Sequence, residues 1–438
     1  MKSQTDASRW TSGLPSGARK VLGVGPSVVT RLGGAVAQVA VQVLAANIVG
    51  LWAVAVYGSA LAWTRVAGNA VAQGYPTQIL RDAARLENTT GLGLATIGRR
   101  IGGGTLAIGV LALLVSPLLV QSLPIGSALV IAGLVASAGS YAMLRCLSER
   151  SKAAGAPARS LYLEFVVPPA VTLNVLLALA ATGGTAASTR GAALVVASIP
   201  LGYVVASLGL WVQFKRRFVE VADHDPTFNM RLAVIGVTNP SIGAIPLLVA
   251  PAFVSVDQVA WLTVGLRLVA VPTLVFTGLA AFFAPRFSAA AAAGQIDRLK
   301  RLFSGSQVLA VGVYLPVAVV LLVVPGLALS AFGIDARGAE TLLRLLVVAQ
   351  GTNAITGLTS EFLTMADQEV REFNATSVGA AVAIVGVTVG GWLLGINGVA
   401  LGFALALATR FLLSWVGVRR TLRSAFERAA MRTDQVFA

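Results

Sequence analysis

The sequence has few charged residues and almost no cysteine or histidine. Only 12% of its 438 residues are charged, and it contains one cysteine, Cys146, and one histidine, His224. A single cysteine excludes an internal disulfide framework and a thiolate metal cluster. The low charge argues against a soluble enzyme, because soluble domains carry about 25% charged residues. It also argues against a disordered chain, which would be polar rather than apolar.

The chain instead contains long apolar runs, and apolar residues make up 56% of it. A helix needs about 20 such residues to cross the hydrocarbon layer. Unpaired backbone groups are costly in lipid, so runs of this length are predicted to be helices. The first 26 residues hold no apolar core, so no cleaved signal peptide is expected. We predict twelve spans, at 27–50, 51–74, 101–121, 127–145, 161–182, 191–213, 230–251, 257–283, 304–325, 340–364, 376–394 and 397–417.

The basic residues are distributed unevenly about these spans. The chain has 33 Lys and Arg against 18 Asp and Glu, for a formal net charge of +15. The loops and termini on one side of the predicted membrane carry nearly all the basic residues that lie outside the spans. The loops on the other side carry only Arg190 and Arg337. The positive-inside rule therefore predicts a multi-pass membrane protein with both termini in the cytoplasm. The excess positive charge then serves to orient the protein in the membrane and to attract anionic lipid. This distribution argues against nucleic acid as a partner.

The spans divide into two sets of six. We predict a cytoplasmic N-terminal arm at 1–26, an N-terminal six-helix bundle at 27–213, a cytoplasmic linker at 214–229, a C-terminal six-helix bundle at 230–417 and a cytoplasmic tail at 418–438. Six spans per half give both halves the same orientation, so a structural repeat would be parallel, about an axis along the membrane normal. Both halves open with Arg-Leu, at Arg31-Leu32 and Arg231-Leu232. The loop at 75–100 is predicted to be an amphipathic interfacial helix.

Five arginines fall inside the predicted spans, and charge within a membrane marks a functional site by default. Arg31 and Arg344 lie about five positions from a span end, from where a long side chain reaches the interface. Arg410 lies at intermediate depth, about eight positions from the inner edge. Arg65 and Arg267 lie nearest the middle of their spans. We expect these two to face a polar interior.

Polar residues recur at helical spacing around these arginines. Arg65, Asn69 and Gln73 follow one another every four residues in the second span, and Arg31, Gln38 and Gln42 share a face of the first. Such stripes predict the lining of a central cavity. The alternative is that the Asn and Gln side chains only bridge neighbouring helices. We expect Pro168-Pro169, Pro240, Pro272 and Pro285 to kink or interrupt their spans, as hinges or as packing kinks.

Carboxylates are absent from the middle of the predicted spans. Glu164 and Glu361 lie near inner span ends, and Asp257 lies at the outer mouth. An exporter of cationic drugs would usually hold deep carboxylates, whereas a positive interior suits phosphate or pyrophosphate. Arginine binds such groups with planar, bidentate donors. No cofactor is predicted, and the coupling ion, H⁺ or Na⁺, is left open.

Several segments together resemble a known family. They are GYPTQILR after the second span, LRCLSERSKAAGAPARSLYLEFVVPP joining the fourth and fifth, DQVAWLTVGLRL leading to FFAPRFSAAAAAGQIDRLKRLF, LLVVAQGTNAITGLTSEFLTMADQEV, and INGVALGFALALATRF. In order and spacing they resemble the polysaccharide-transporter branch of the MOP flippase superfamily, which includes Wzx-type O-antigen flippases. The resemblance covers nearly the whole chain.

This resemblance implies an all-α polytopic fold of about 12 transmembrane helices in two pseudo-symmetric six-helix bundles around a central cavity. It implies flipping of an undecaprenyl-pyrophosphate-linked oligosaccharide from the inner to the outer leaflet of the bacterial inner membrane by alternating access. In the related lipid II flippases, arginines on the first, second and eighth spans form a cationic cavity, a role that the resemblance gives to Arg31, Arg65 and Arg267. The chain has twelve predicted spans where those flippases have fourteen, which argues against lipid II.

The predicted pyrophosphate and cavity residues are Arg65, Arg267, Arg31, Asn69, Gln73, Gln38, Gln42, Arg344 and Arg410. Expected partners are the lipid-linked oligosaccharide, membrane lipids, and the polymerase and glycosyltransferases of the same pathway. Two alternatives remain. One is a drug/cation antiporter of the multidrug and toxin extrusion type, which mid-span carboxylates would favour. The other is a membrane-embedded polymerase or glycosyltransferase, which would need a sizeable outer loop. The short loops favour a transporter over an enzyme.

Overall fold

A computed structural model describes residues 16–72, 74–76, 79, 98–110, 128–153, 157–181, 189–215, 230–334 and 336–437. The regular structure in these ranges is entirely helical. Residues 216–229 of the predicted linker, most of the predicted interfacial helix at 75–100 and Gln73 lie outside the described residues, whereas 214 and 215 are helical.

The first half contributes six labelled helices. They are α1 (Ser16–Ile48), α2 (Leu51–Ala72), α3 (Ala128–Ala153), α4 (Pro157–Phe165), α5 (Val167–Ala181) and α6 (Thr189–Lys215). Residues 98–110, at the start of the predicted third span, are also helical. The boundary between α4 and α5 lies at Val166, directly before Pro168-Pro169, as expected for a residue pair that removes two backbone donors.

In the part of the second half that the structure describes, there are seven α-helices and a short 3-10 helix at Ala250–Ala252. The α-helices are α7 (Met230–Val249), α8 (Val256–Ala292), α9 (Ile296–Val323), α10 (Pro325–Ser330), α11 (Ala336–Thr356), α12 (Thr359–Met365) and α13 (Glu369–Phe437). The predicted tenth span is broken into α11 and α12 at Gly357, whose φ of 71° ends α11. In contrast, α7 continues through Pro240, and α8 continues through Pro272 and Pro285. The expectation that these three prolines interrupt their spans is therefore wrong, and a kink at each of them stays a prediction.

Helix α13 contains two spans folded into a hairpin at Gly395, where φ is 59°. Each arm has two glycines four residues apart, and the arms meet at these glycines. Gly386 contacts Gly402, and Gly390 contacts Gly398. A Cβ atom added to Gly402 would lie 2.2 Å from the carbonyl carbon of Gly386. The backbones therefore touch, which is the packing that small residues permit between membrane helices.

The protein is an all-α polytopic membrane protein. Each of the twelve predicted spans overlaps a helical segment of the described residues. Seven segments are long and apolar enough to cross a bilayer by length and composition, at Val29–Ile48, Ala158–Ala181, Leu194–Val212, Ala233–Ala252, Val256–Ala292, Ile296–Val323 and Glu369–Ser424, the last holding both arms of the hairpin. Large apolar side chains such as Val308, Leu327 and Trp392 are more than 70% exposed, as expected of a surface that faces lipid.

The two halves meet through α1 and α2 on one side and α7 and α8 on the other. Helix α1 contacts α8, α2 contacts α7, and α2 also contacts α8. A two-fold axis that exchanges α1 with α7 and α2 with α8 converts the α1–α8 contact into the α2–α7 contact. The same axis leaves the α2–α8 contact unchanged. The contacts of the halves are thus those that a two-fold relation between them requires.

Candidate functional site

Helices α2 and α8 approach each other closely at Gly58. A Cβ atom on Gly58 would lie 2.4 Å from Cγ2 of Thr263, so only glycine permits this approach. Arg65 lies two turns further along α2, and Arg267 lies one turn beyond Thr263 on α8. The close crossing therefore directs one arginine from each half toward the same part of the interface.

Arg65 and Arg267 form an unneutralised pair of like charges. Both are half-buried, and their guanidinium groups are near enough to interact electrostatically. Nη1 of Arg267 donates a hydrogen bond to Oε1 of Gln38 on α1, at 3.1 Å. Within the described ranges neither arginine forms a salt bridge. Like charges repel strongly where water is partly excluded, so the arrangement favours binding of an anion.

Two tyrosines, Tyr57 and Tyr203, complete the surroundings of this pair. Their hydroxyl groups interact electrostatically with both guanidinium groups, and Tyr57 is hydrogen-bonded to Thr172 on α5. The ring of Tyr203 packs edge-on against Tyr141, with ring centroids 5.3 Å apart. The sequence reasoning did not select these tyrosines. A tyrosine within an apolar span is a usable signal, because its buried hydroxyl needs a partner.

Arg31 lies two turns before Gln38 on α1 and has a different environment. Its guanidinium carbon lies 3.9 Å from the ring centroid of Phe165, and its charge interacts with that of Glu164. Gly34, one turn further along, permits this contact, since a Cβ atom there would lie 2.7 Å from the carbonyl oxygen of Phe165. The charge of Arg31 is therefore attracted by a nearby carboxylate.

Glu164 is the centre of a buried ion network between α3 and α4. Arg145 Nη1 lies 2.6 Å from Oε1 of Glu164, and Lys152 Nζ lies 3.2 Å from Oε2. Glu149 pairs with the same two cations, at 3.4 and 2.7 Å. Ser148 donates a further hydrogen bond to Glu164. These groups fix the junction of the fourth and fifth spans.

Arg410 belongs to a corresponding network in the second half. Its Nη2 lies 3.6 Å from Oε1 of Glu372, and the two side chains are 6% and 0% exposed. Thr376 and Ser414 donate to the two oxygens of Glu372 at 3.0 and 2.8 Å. The sequence reasoning placed Glu372 in a loop outside the spans. The signal it missed is the four-residue spacing of Glu372 and Thr376 on one arm of the hairpin and of Arg410 and Ser414 on the other.

The remaining predicted residues are dispersed. Arg344 is 47% exposed and pairs with Glu340 at 3.2 Å, while its Nε donates to the carbonyl of Leu322. Asn69 donates from Nδ2 to the backbone carbonyl of Arg65, at 2.6 Å. Gln42 is fully buried, and neither polar atom of its side chain has a partner within the described residues. The structure thus brings together Arg65, Arg267 and Gln38, and places Arg31, Arg344 and Arg410 beside carboxylates.

Comparisons with known proteins identify the fold but no sequence family. No family model and no curated protein matches the chain. Among solved structures, a MATE in complex with MaL6 superimposes with a TM-score of 0.67 at 16% identity, over 92% of this chain and 96% of the other. The inward-facing conformation of a multidrug resistance MATE family transporter of the MOP superfamily gives 0.66 at 14% identity, over 91% and 99%.

The chain has the fold of the MOP-superfamily transporters. A MOP superfamily transporter from Pyrococcus furiosus, described for the reverse polarity of its binding pocket, also has this fold, with a TM-score of 0.64 at 16% identity over 92% of this chain and 96% of that one. In this chain the two halves contact each other through α1, α2, α7 and α8. Arg65 lies on α2 and Arg267 on α8, so both belong to the helices that join the halves.

Proposed function

We propose that this protein is a flippase that moves an undecaprenyl-pyrophosphate-linked oligosaccharide from the inner to the outer leaflet of the bacterial cytoplasmic membrane. The pyrophosphate binds Arg65 and Arg267, the sugars occupy a central cavity between the bundles, and the lipid tail remains in the bilayer. Rocking of the two bundles then exposes the substrate to either side in turn. The resemblance of the sequence segments to the polysaccharide-transporter branch supports this substrate.

One observation carries the proposal. Of the five arginines in the predicted spans, Arg344 and Arg410 each form a salt bridge with a glutamate. Arg31 is attracted by Glu164, whereas Arg65 and Arg267 repel each other. Keeping two unpaired charges together in a membrane protein is costly unless a ligand neutralises them. A pyrophosphate carries negative charge on both phosphates and accepts bidentate hydrogen bonds from two guanidinium groups at once.

The similarity to MATE structures favours a second candidate, an antiporter of cationic drugs. The fold is equally consistent with both functions. The local charge separates them, because two unpaired arginines repel a cation and attract an anion. A MOP superfamily transporter whose binding pocket has reverse polarity shows that the fold accommodates pockets of different charge.

A flipping assay in proteoliposomes tests the proposal. The substrate is a fluorescent prenyl-pyrophosphate-linked sugar, and dithionite added outside quenches the probe in one leaflet only. We expect wild-type protein to equilibrate the probe, Arg65→Ala and Arg267→Ala to lose flipping, and Arg65→Lys to retain part of it. Arg344→Ala is the matched control, since Arg344 is exposed and paired. Full activity of both alanine variants would remove the site assignment.

The same liposomes address the competing function and the driving force. A cationic dye replaces the lipid-linked sugar in a parallel assay, with and without a proton or sodium gradient. Uptake of the dye that survives Arg65→Ala, together with absence of flipping by wild-type protein, would establish the antiporter instead. A gradient that changes the rate of flipping would identify the coupling ion.

A further inference from the structure

Gln42 on α1 is buried in an unusual way. Its side chain is 0% exposed, and neither Oε1 nor Nε2 has a hydrogen-bond partner within the described residues. Each unpaired buried polar group disfavours the conformation that contains it by about tenfold or more in equilibrium constant. The present conformation therefore carries a cost at Gln42 that another conformation can remove.

The position of Gln42 identifies a partner. It lies one turn beyond Gln38 on the same face of α1, so that the two amides are about 6 Å apart along the helix axis. Gln38 accepts the hydrogen bond of Arg267, which belongs to the other half of the molecule. Arginine is long and flexible, and α8 contacts α1 directly. The same guanidinium thus lies one helical turn from a second, unused acceptor.

Packing alone does not require a glutamine at this position. The shared Arg-Leu that opens each half, at 31–32 and 231–232, places Gln42 in register with Ile242 on α7. Ile242 is also 0% exposed. The repeat-related site in the second half is thus filled by an apolar side chain, which indicates that the amide in the first half has a role other than filling space.

We propose that Gln42 is the alternate partner of Arg267. When the two halves move relative to each other, the guanidinium leaves Gln38 and bonds Oε1 of Gln42 one turn away. Each access state then offers Arg267 one acceptor, and the hydrogen bond lost in one state is regained in the other. Gln42 acts as a positioning residue that sets the balance between the states. This inference rests on the proposed function only in requiring two access states.

Distances between spin labels measure this balance. The one native cysteine, Cys146, is buried, so nitroxides attach selectively to introduced surface cysteines. Arg159→Cys with Lys300→Cys reports on one side of the membrane, and Ala181→Cys with Asp257→Cys on the other; all four positions are exposed. Double electron–electron resonance in lipid nanodiscs gives the populations of the two states without any substrate.

Three variants are expected to change the populations of the two states differently. Gln42→Met, which keeps the side-chain length, shifts the populations about tenfold toward the distances of the present structure, because it removes the alternate acceptor. Gln38→Met shifts them the other way. In an Arg267→Met background the shift caused by Gln42→Met disappears, since a coupling between two residues vanishes when one is absent. Gln42→Leu repeats the test if the methionine variant folds poorly.

Three results would overturn the proposal. They are populations unchanged by Gln42→Met, a shift that persists undiminished in Arg267→Met, and a wild-type protein with a single distance on each side. A purely structural glutamine would change the melting temperature and not the populations. Absence of flipping together with the expected distance changes would remove the proposed substrate and retain the exchange of partners.

Discussion

Arg65 and Arg267 come from opposite halves of the chain and interact as like charges across the interface between α2 and α8. Among the residues that the structure describes, the one hydrogen bond of this pair to another side chain joins Arg267 to the neutral amide of Gln38. Their neighbours Tyr57 and Tyr203 are neutral hydroxyl groups that do not cancel the charge. The interface between α2 and α8 is therefore positively charged, because within the described residues no carboxylate pairs with either arginine.

An anion that bridges this pair should stabilise the folded protein. We expect inorganic pyrophosphate to raise the melting temperature of the wild type in detergent, and this rise to fall as ionic strength increases. Arg65→Met or Arg267→Met should weaken pyrophosphate binding by about tenfold or more, because each removes charge-assisted hydrogen bonds. Arg344→Met should bind as the wild type does. Equal stabilisation of all three variants would place the anion elsewhere.

The ion network around Glu164 should be structural. Glu164→Gln leaves Arg145 and Lys152 with one carboxylate fewer at a position where Glu164 is 3% exposed. We expect a loss of about 3 kcal/mol in the free energy of unfolding, measured by titration with sodium dodecyl sulfate in mixed micelles. The matched control is Glu340→Gln. Its pair with Arg344, in which the side chains are 33% and 47% exposed, should contribute less than about 1 kcal/mol. Similar losses in both variants would contradict this interpretation.

The buried pair of Glu372 and Arg410 should behave non-additively. Either Glu372→Gln or Arg410→Met alone leaves a charge without its partner among side chains that are 0% and 6% exposed. Each should cost about 3 kcal/mol, whereas the double variant should cost clearly less than the sum, since no uncompensated charge remains. The same detergent titration gives the coupling energy. Additive losses would show that the two charges do not depend on each other.

The glycine contacts of the α13 hairpin should not tolerate even a methyl group. Gly402→Ala places a Cβ atom 2.2 Å from the backbone of Gly386, where no flexible side chain is available to move. We expect the yield of folded protein to fall several-fold in size-exclusion chromatography. Gly312→Ala in α9 is the control, because nothing lies within 4 Å of its added Cβ atom. Normal yield from Gly402→Ala would show that the arms of the hairpin separate readily.

Much of the fold follows from local sequence. All twelve predicted spans overlap helices, because a run of about 20 apolar residues has no other way to satisfy its backbone in lipid. Breaks were less predictable. Pro168-Pro169 coincides with a helix boundary, but α7 and α8 continue through Pro240, Pro272 and Pro285. A single proline removes one hydrogen bond, and packing against neighbouring helices decides whether the helix continues.

The candidate site was likewise predictable from the sequence only in part. The sequence by itself determined that five arginines lie within spans and that Arg65 and Arg267 lie deepest, since depth depends only on the distance from a span end. The tertiary structure decided which of these arginines lie beside a carboxylate and which do not. Glu372 meets Arg410 across 38 positions of sequence, and Arg267 reaches Gln38 across 229. Electrostatic neutralisation depends on distance in space, so only the packing of the helices could show that Arg65 and Arg267 are the pair left without a carboxylate.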